Sequence, residues 1–215
     1  MNEEKYFTTI EEFTEETPAK KMIAHAFGEI IPNKNNWVAF VISFILGIFF
    51  AVIIGINENT VKILLSIVGV ILNVLLYIFG YLFTIYAILL AFLSDNYIKE
   101  LSKLKTDGVS SLKTSTKYYE SVLFLYFIGL SITGVILLFL NCVVNEWILT
   151  ENYLVNNVLA ILLLTIYFTF IFRIVYELKS TIYNTIVLFR ESIAYKILII
   201  FKKEKEGEHN DNCNK

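Results

Sequence analysis

The chain has 215 residues, 56% of them apolar and 18% charged, and a formal net charge of −2. Soluble domains run at about 45–50% apolar and about 25% charged, so this balance excludes a soluble enzyme or a disordered tail. It also excludes a nucleic-acid-binding module, because the net charge sets up no field for phosphate.

The first 36 residues are polar and acidic, with Glu3, Glu4, Glu11, Glu12, Glu15 and Glu16 ahead of any apolar run. No cleavable secretory signal is expected, and the segment reads as a cytoplasmic N-terminal piece. Thr8-Thr9-Ile10-Glu11-Glu12 resembles a helix start, because a Thr cap followed by Glu forms a capping box. Ile10, Phe13, Met22, Ile23, Ala26, Phe27, Ile30 and Ile31 supply apolar positions on either side of Pro18. A membrane-surface lead-in and a docking helix for another chain both fit them.

Residues 37–201 read as the transmembrane domain of an all-α membrane protein with four transmembrane helices and helical cytoplasmic extensions. Four uncharged blocks carry this, at 37–56, 63–94, 121–145 and 152–172. Twenty helical residues rise about 30 Å, the thickness of the hydrocarbon core. The second block is long enough for one span that tilts or projects. Lys and Arg fall into the N-terminal segment, the 95–120 segment and the region after 172, with Lys62 alone in the two remaining loops. The asymmetry predicts both termini in the cytoplasm of a cell whose inner membrane holds the chain. Trp37 and Trp147 stand at span ends, where interfacial aromatics gather.

The first span carries Ser43, Gly47, Ala51 and Gly55 at a spacing of four. Small residues in such a row let two backbones approach where lipid removes any hydrophobic drive. The row leaves open whether the second backbone belongs to this chain or to another copy. The second span carries Ser66, Asn73, Gly80, Ala87 and Ser94, one every seven residues, a packing seam. Asn73 falls near mid-membrane. A packing amide that fixes register and a ring of Asn facing a pore are both compatible with it.

The second span does not stop cleanly. Helical spacing of apolar residues continues to Lys105, and Thr106-Asp107-Gly108 is the first strong turn signal. Spans two and three are therefore expected to form a hairpin with its 95–120 tip in the cytoplasm, where Lys99, Lys103 and Lys105 would meet a soluble partner. Thr165, Thr169, Arg173 and Glu177 fall on one line of the fourth span. The Arg173–Glu177 pair is expected to be a solvated i,i+4 contact; the same line is a candidate vestibule. Beyond it, Val175, Leu178, Ile182, Ile186, Phe189, Ile193, Ile197 and Ile200 recur at steps of three and four, marking residues 174–201 as an amphipathic helix. It is expected to pack on the hairpin or to lie on the inner leaflet with Lys202, Lys203 and Lys205 at the headgroups. Residues 202–215 are expected to be a disordered tail.

Catalytic chemistry has little to stand on. His25 and His209 have no carboxylate partner at a useful spacing, and no span holds a pair of acids or a Ser-Lys dyad. Cys142 and Cys213 with these two His make no metal set. No catalytic residue, metal or cofactor is expected. Three functions remain: a non-enzymatic subunit that oligomerises, with a tetramer as the working size, and couples to a cytoplasmic protein; a pore-forming effector that depolarises the membrane; and a small transport accessory.

The layout resembles the small four-span membrane subunits encoded in bacterial phage-defence operons, of the Kiwa type. Four spans, cytoplasmic termini and the run Phe92-Leu93-Ser94-Asp95-Asn96-Tyr97-Ile98-Lys99 leaving span two as a helix carry the resemblance. It covers the architecture of most of the chain and includes no diagnostic motif. It implies an oligomeric membrane sensor or anchor for antiviral defence, working with a cytoplasmic nucleic-acid-binding effector and touching no nucleic acid itself.

Overall fold

A computed structural model describes residues 19–32, 37–92, 105–106, 109–143 and 152–213. In chain order its elements are α1 (Ala19–Ile30), α2 (Trp37–Gly55), α3 (Thr60–Phe92), β1 (Lys105–Thr106), β2 (Val109–Ser110), α4 (Ser111–Cys142) and α5 (Tyr153–Cys213). The protein is all-α apart from the two-residue antiparallel ladder of β1 and β2, in which Lys105 pairs with Ser110. Among the described residues, α2, α3, α4 and α5 are each long and apolar enough to cross a membrane. The chain thus has the build of a multi-pass membrane protein.

Local chemistry sets the helix ends. α1 starts directly after Pro18 and stops two residues before Pro32, since proline suits a first turn and drives its predecessor out of the helical region. Between α2 and α3 the Asn59 amide donates to Asn57 Oδ1 at 2.9 Å. The Thr60 hydroxyl donates to the Ile54 carbonyl at 2.9 Å, occupying one of the orphan carbonyls at the end of α2. That use of Thr60 starts α3 three residues before the uncharged block does. Asn152 caps α5, its Oδ1 accepting from the Leu154 amide at 3.0 Å.

α3 is a single helix of 33 residues, about 50 Å long at 1.5 Å per residue, as the length of its uncharged block implies. Lys105 and Thr106 are not a helical continuation of span two; they pair with Val109 and Ser110 on either side of the turn signal. α4 begins at once, at Ser111. α5 is continuous with span four and runs on to Cys213. The segment from Lys202, expected to be disordered, therefore continues the helix as far as Cys213. Its Lys and Glu residues favour helix, and no proline interrupts them.

The chain divides into two compact units. The first comprises Thr17–Phe83 and Tyr118–Ser180. Its core joins Ala51 and Ile54 of α2, Val68, Leu75 and Leu82 of α3, Val122, Leu125 and Tyr126 of α4, and Leu164, Phe168 and Ile174 of α5. Ala26 and Ile30 of α1 also enter this core, and Phe27 stacks on Phe170 with ring centroids 6.5 Å apart. The N-terminal segment thus supplies a helix docked on its own chain. Phe50 of α2 meets Phe168 and Phe172 of α5 at 6.1 and 5.5 Å between centroids.

Of the described residues, the second unit comprises 84–92, 105–106, 109–117 and 181–213. Within it, α5 buries Thr181, Thr185 and Ser192 and exposes Ile182, Ile186, Ile193, Ile197 and Ile200. Small hydroxyl residues at the buried positions allow close backbone approach, and the Thr185 hydroxyl is satisfied by the Thr181 carbonyl at 2.7 Å. The apolar stripe is the outward face.

Candidate functional site: packing seams and a buried ion pair

The small residues of α2 form one buried ridge, Ser43, Gly47, Ala51 and Gly55. Gly47 and Gly55 lie against α5. A Cβ on Gly47 would stand 2.9 Å from the Thr169 amide nitrogen and 3.2 Å from the Thr165 carbonyl oxygen, and would overlap the Thr169 hydroxyl. A Cβ on Gly55 would stand 2.5 Å from Ile161 Cγ1. The ridge is thus an intrachain contact, and Thr165 and Thr169 are the surface it meets. Thr165 donates to its own helix, to the Ile161 carbonyl at 2.7 Å.

One turn on, Arg173 Nη1 lies 3.1 Å from Glu177 Oε2. The pair is present as the spacing predicts, but it is not solvated: Arg173 is 2% exposed and Glu177 5%. The cause is α4. The Tyr118 hydroxyl donates to Glu177 Oε1 at 3.2 Å, and the Tyr126 hydroxyl donates to the Ile174 carbonyl at 3.1 Å. Gly129 admits α5 to this face, since a Cβ there would lie 2.9 Å from Ile174 Cδ1. Arg173 also stands over the Tyr176 ring, 5.9 Å from its centroid. Among the described residues, two buried atoms on the line, Thr169 Oγ1 and Arg173 Nε, meet no hydrogen-bond partner, although the Arg173 guanidinium is held through Nη1. Of the candidate vestibule residues, Arg173 and Glu177 are closed inside the protein, while Thr165 and Thr169 are half-buried. Farther along α4, Tyr167 donates to Thr133 across the same interface at 3.3 Å.

α3 behaves differently. Its inward seam is Val68, Leu75 and Leu82, seven residues apart and all buried. Its seam of small and polar residues points the other way: Ser66, Asn73, Gly80 and Ala87 are exposed. A Cβ added at Gly80 would meet nothing within 4 Å. Ser94, Lys99 and Lys103 lie outside the described residues, and Lys105 is placed in β1.

Sequence reasoning missed Tyr118, Tyr126, Gly129 and Thr133. For three of them a signal was available, because Tyr126, Gly129 and Thr133 recur at helical spacing in the uncharged third span and polar groups need partners there; Tyr118 precedes that span. Among the described residues no cluster of His, Cys, Asp or Glu can hold a metal ion. No family model, curated protein or solved structure matches the chain.

Proposed function

We propose that the chain is a non-enzymatic multi-pass membrane subunit that assembles with copies of itself and couples to a soluble cytoplasmic protein. The observation that carries this is Asn73. Its amide sits in the apolar stretch of α3, on a face exposed to the surroundings of the chain. Lipid provides neither donor nor acceptor, and an interhelical amide hydrogen bond in a bilayer is worth about 0.6–2 kcal/mol. A second copy brings the same amide to the same depth. The exposed row of Ser66, Gly80 and Ala87 lets that copy approach closely.

Coupling to a partner rests on α5, whose residues past Thr181 display an apolar stripe of five isoleucines. Such a face marks an interaction surface. The resemblance to membrane subunits of phage-defence operons makes the partner an effector encoded nearby. The Lys residues between spans two and three would then contact it.

Affinity purification of the wild-type protein from its native host tests the reading. It should recover a soluble protein encoded beside it. A preparation without such a protein that makes liposomes leak ions contradicts the reading and favours a pore-forming effector.

A further inference from the structure

We infer that residues 1–18 of the chain fold back on α5 and cover its outward isoleucine stripe. Ile182, Ile186, Ile193, Ile197 and Ile200 are all exposed, along about 27 Å of helix. The edges of this stripe are basic. Arg190 stands four residues from Ile186 and three from Ile193, and Lys196 three from Ile193 and four from Ile200, the spacings at which helical neighbours meet. Both are exposed. Glu191 is also exposed, but it stands five residues from Ile186 and two from Ile193 and so faces away from the stripe. An apolar face rimmed by cations selects a segment that is both apolar and acidic.

Two other occupants fit less well. Copies that share a membrane orientation would pair their stripes in parallel. That brings two Lys196 ammoniums together with no acid on the stripe to separate them. Lying on the lipid surface would need a kink between span four and the stripe, and no Pro or Gly stands between Tyr153 and Phe201 to make one.

Residues 1–18 lie outside the described residues, and their sequence has the matching chemistry. They carry six glutamates against Lys5 alone, with Phe7, Ile10 and Phe13 at every third position. Four crossings bring both ends of the chain to one side of the bilayer. The segment is also tied to α5, because α1 follows it directly and stacks Phe27 on Phe170. A short tether holds a segment near its site at an effective concentration of about a millimolar. Eighteen residues precede α1, enough to run the length of the stripe in helical or extended form. A soluble partner of α5 would have to displace this cover, a consequence that rests on the proposed coupling; the cover itself is measured without any partner.

Thiol reactivity of the full chain tests the cover, in phosphatidylcholine nanodiscs and a background lacking Cys142 and Cys213. The reporter is Ile193→Cys, read by its rate with a water-soluble maleimide. Glu11→Lys, Glu12→Lys, Glu15→Lys and Glu16→Lys together should speed the reaction about tenfold, as expected if the stripe is covered nine-tenths of the time. Adding Arg190→Glu and Lys196→Glu to those four changes should restore the slow rate, which general damage to the fold would not do. Glu191→Cys, on the opposite face, should react at one rate in all three backgrounds. Equal rates at Ile193→Cys with and without the four lysines overturn the proposal, as does a charge swap that restores no protection. Protection that appears only in phosphatidylglycerol discs assigns the stripe to the membrane, and protection that needs two chains in one disc assigns it to a second copy; either overturns the proposal.

Discussion

Gly47 of α2 lies directly against the backbone of Thr169 on α5, so close that a single methyl group would stand 2.9 Å from the amide nitrogen. Gly80 of α3 has open space where its Cβ would be. Two glycines that look alike in two small-residue rows therefore do different work. Gly47→Ala should destabilise the fold by about 1–3 kcal/mol through overpacking against rigid backbone, while Gly80→Ala should leave it within about 0.5 kcal/mol of the wild type. Reversible unfolding in mixed micelles measures both. If the α3 seam joins two copies, a bulky Gly80→Leu should weaken assembly and leave the fold of each chain intact.

The buried Arg173–Glu177 pair predicts an asymmetric mutational response. Glu177→Ala leaves the guanidinium buried without its carboxylate and should cost about 3–5 kcal/mol. Replacing both residues, Arg173→Met with Glu177→Leu, should cost less than Glu177→Ala alone. Tyr118→Phe removes one neutral donor to the carboxylate and should cost about 1–3 kcal/mol. The same unfolding assay ranks the three. A double variant less stable than Glu177→Ala would show that the pair stabilises beyond its own desolvation.

The charge asymmetry predicts topology. In a background lacking Cys142 and Cys213, cysteines at Asn59 and Glu151 should react with a membrane-impermeant thiol reagent in intact cells. A cysteine at Gly108 should react only after lysis. Labelling at Gly108 in intact cells inverts the orientation.

Reversing the charge of Lys103 and Lys105 together should abolish function while leaving membrane insertion and oligomer size unchanged. Growth under the relevant challenge, membrane fractionation and native mass together check it. A variant that loses insertion instead would give these lysines a topological role.

The four spans were legible because a bilayer demands some twenty uncharged helical residues, and composition alone reveals such blocks. The start of the second was not, because Thr60 sets it through a hydrogen bond made outside the apolar run, whereas Asn152, the first residue of the fourth block, caps α5 where the sequence placed its start. The ridge on α2 was legible as a close-approach surface, but spacing does not say whose backbone approaches. Burial of Arg173 and Glu177 was invisible for a related reason. The i,i+4 spacing of the pair is local, whereas the tyrosines that cover it come from a helix about fifty residues earlier. The stripe on α5 was legible as apolar, and its outward direction was not, because Thr181, Thr185 and Ser192 took the buried positions. Periodicity identifies faces; which face is inside depends on the partners.

Assembly through the α3 seam is open to disulfide cross-linking in native membranes, with single cysteines along α3 in the background lacking Cys142 and Cys213. Cysteines at Ser66, Asn73 and Gly80 should form chain-to-chain disulfides under mild oxidation, with a maximum at Asn73. A cysteine at Ile45, exposed on α2, should not. Cross-linking at Asn73 no stronger than at Ile45, in a protein that inserts normally, would contradict assembly through this seam.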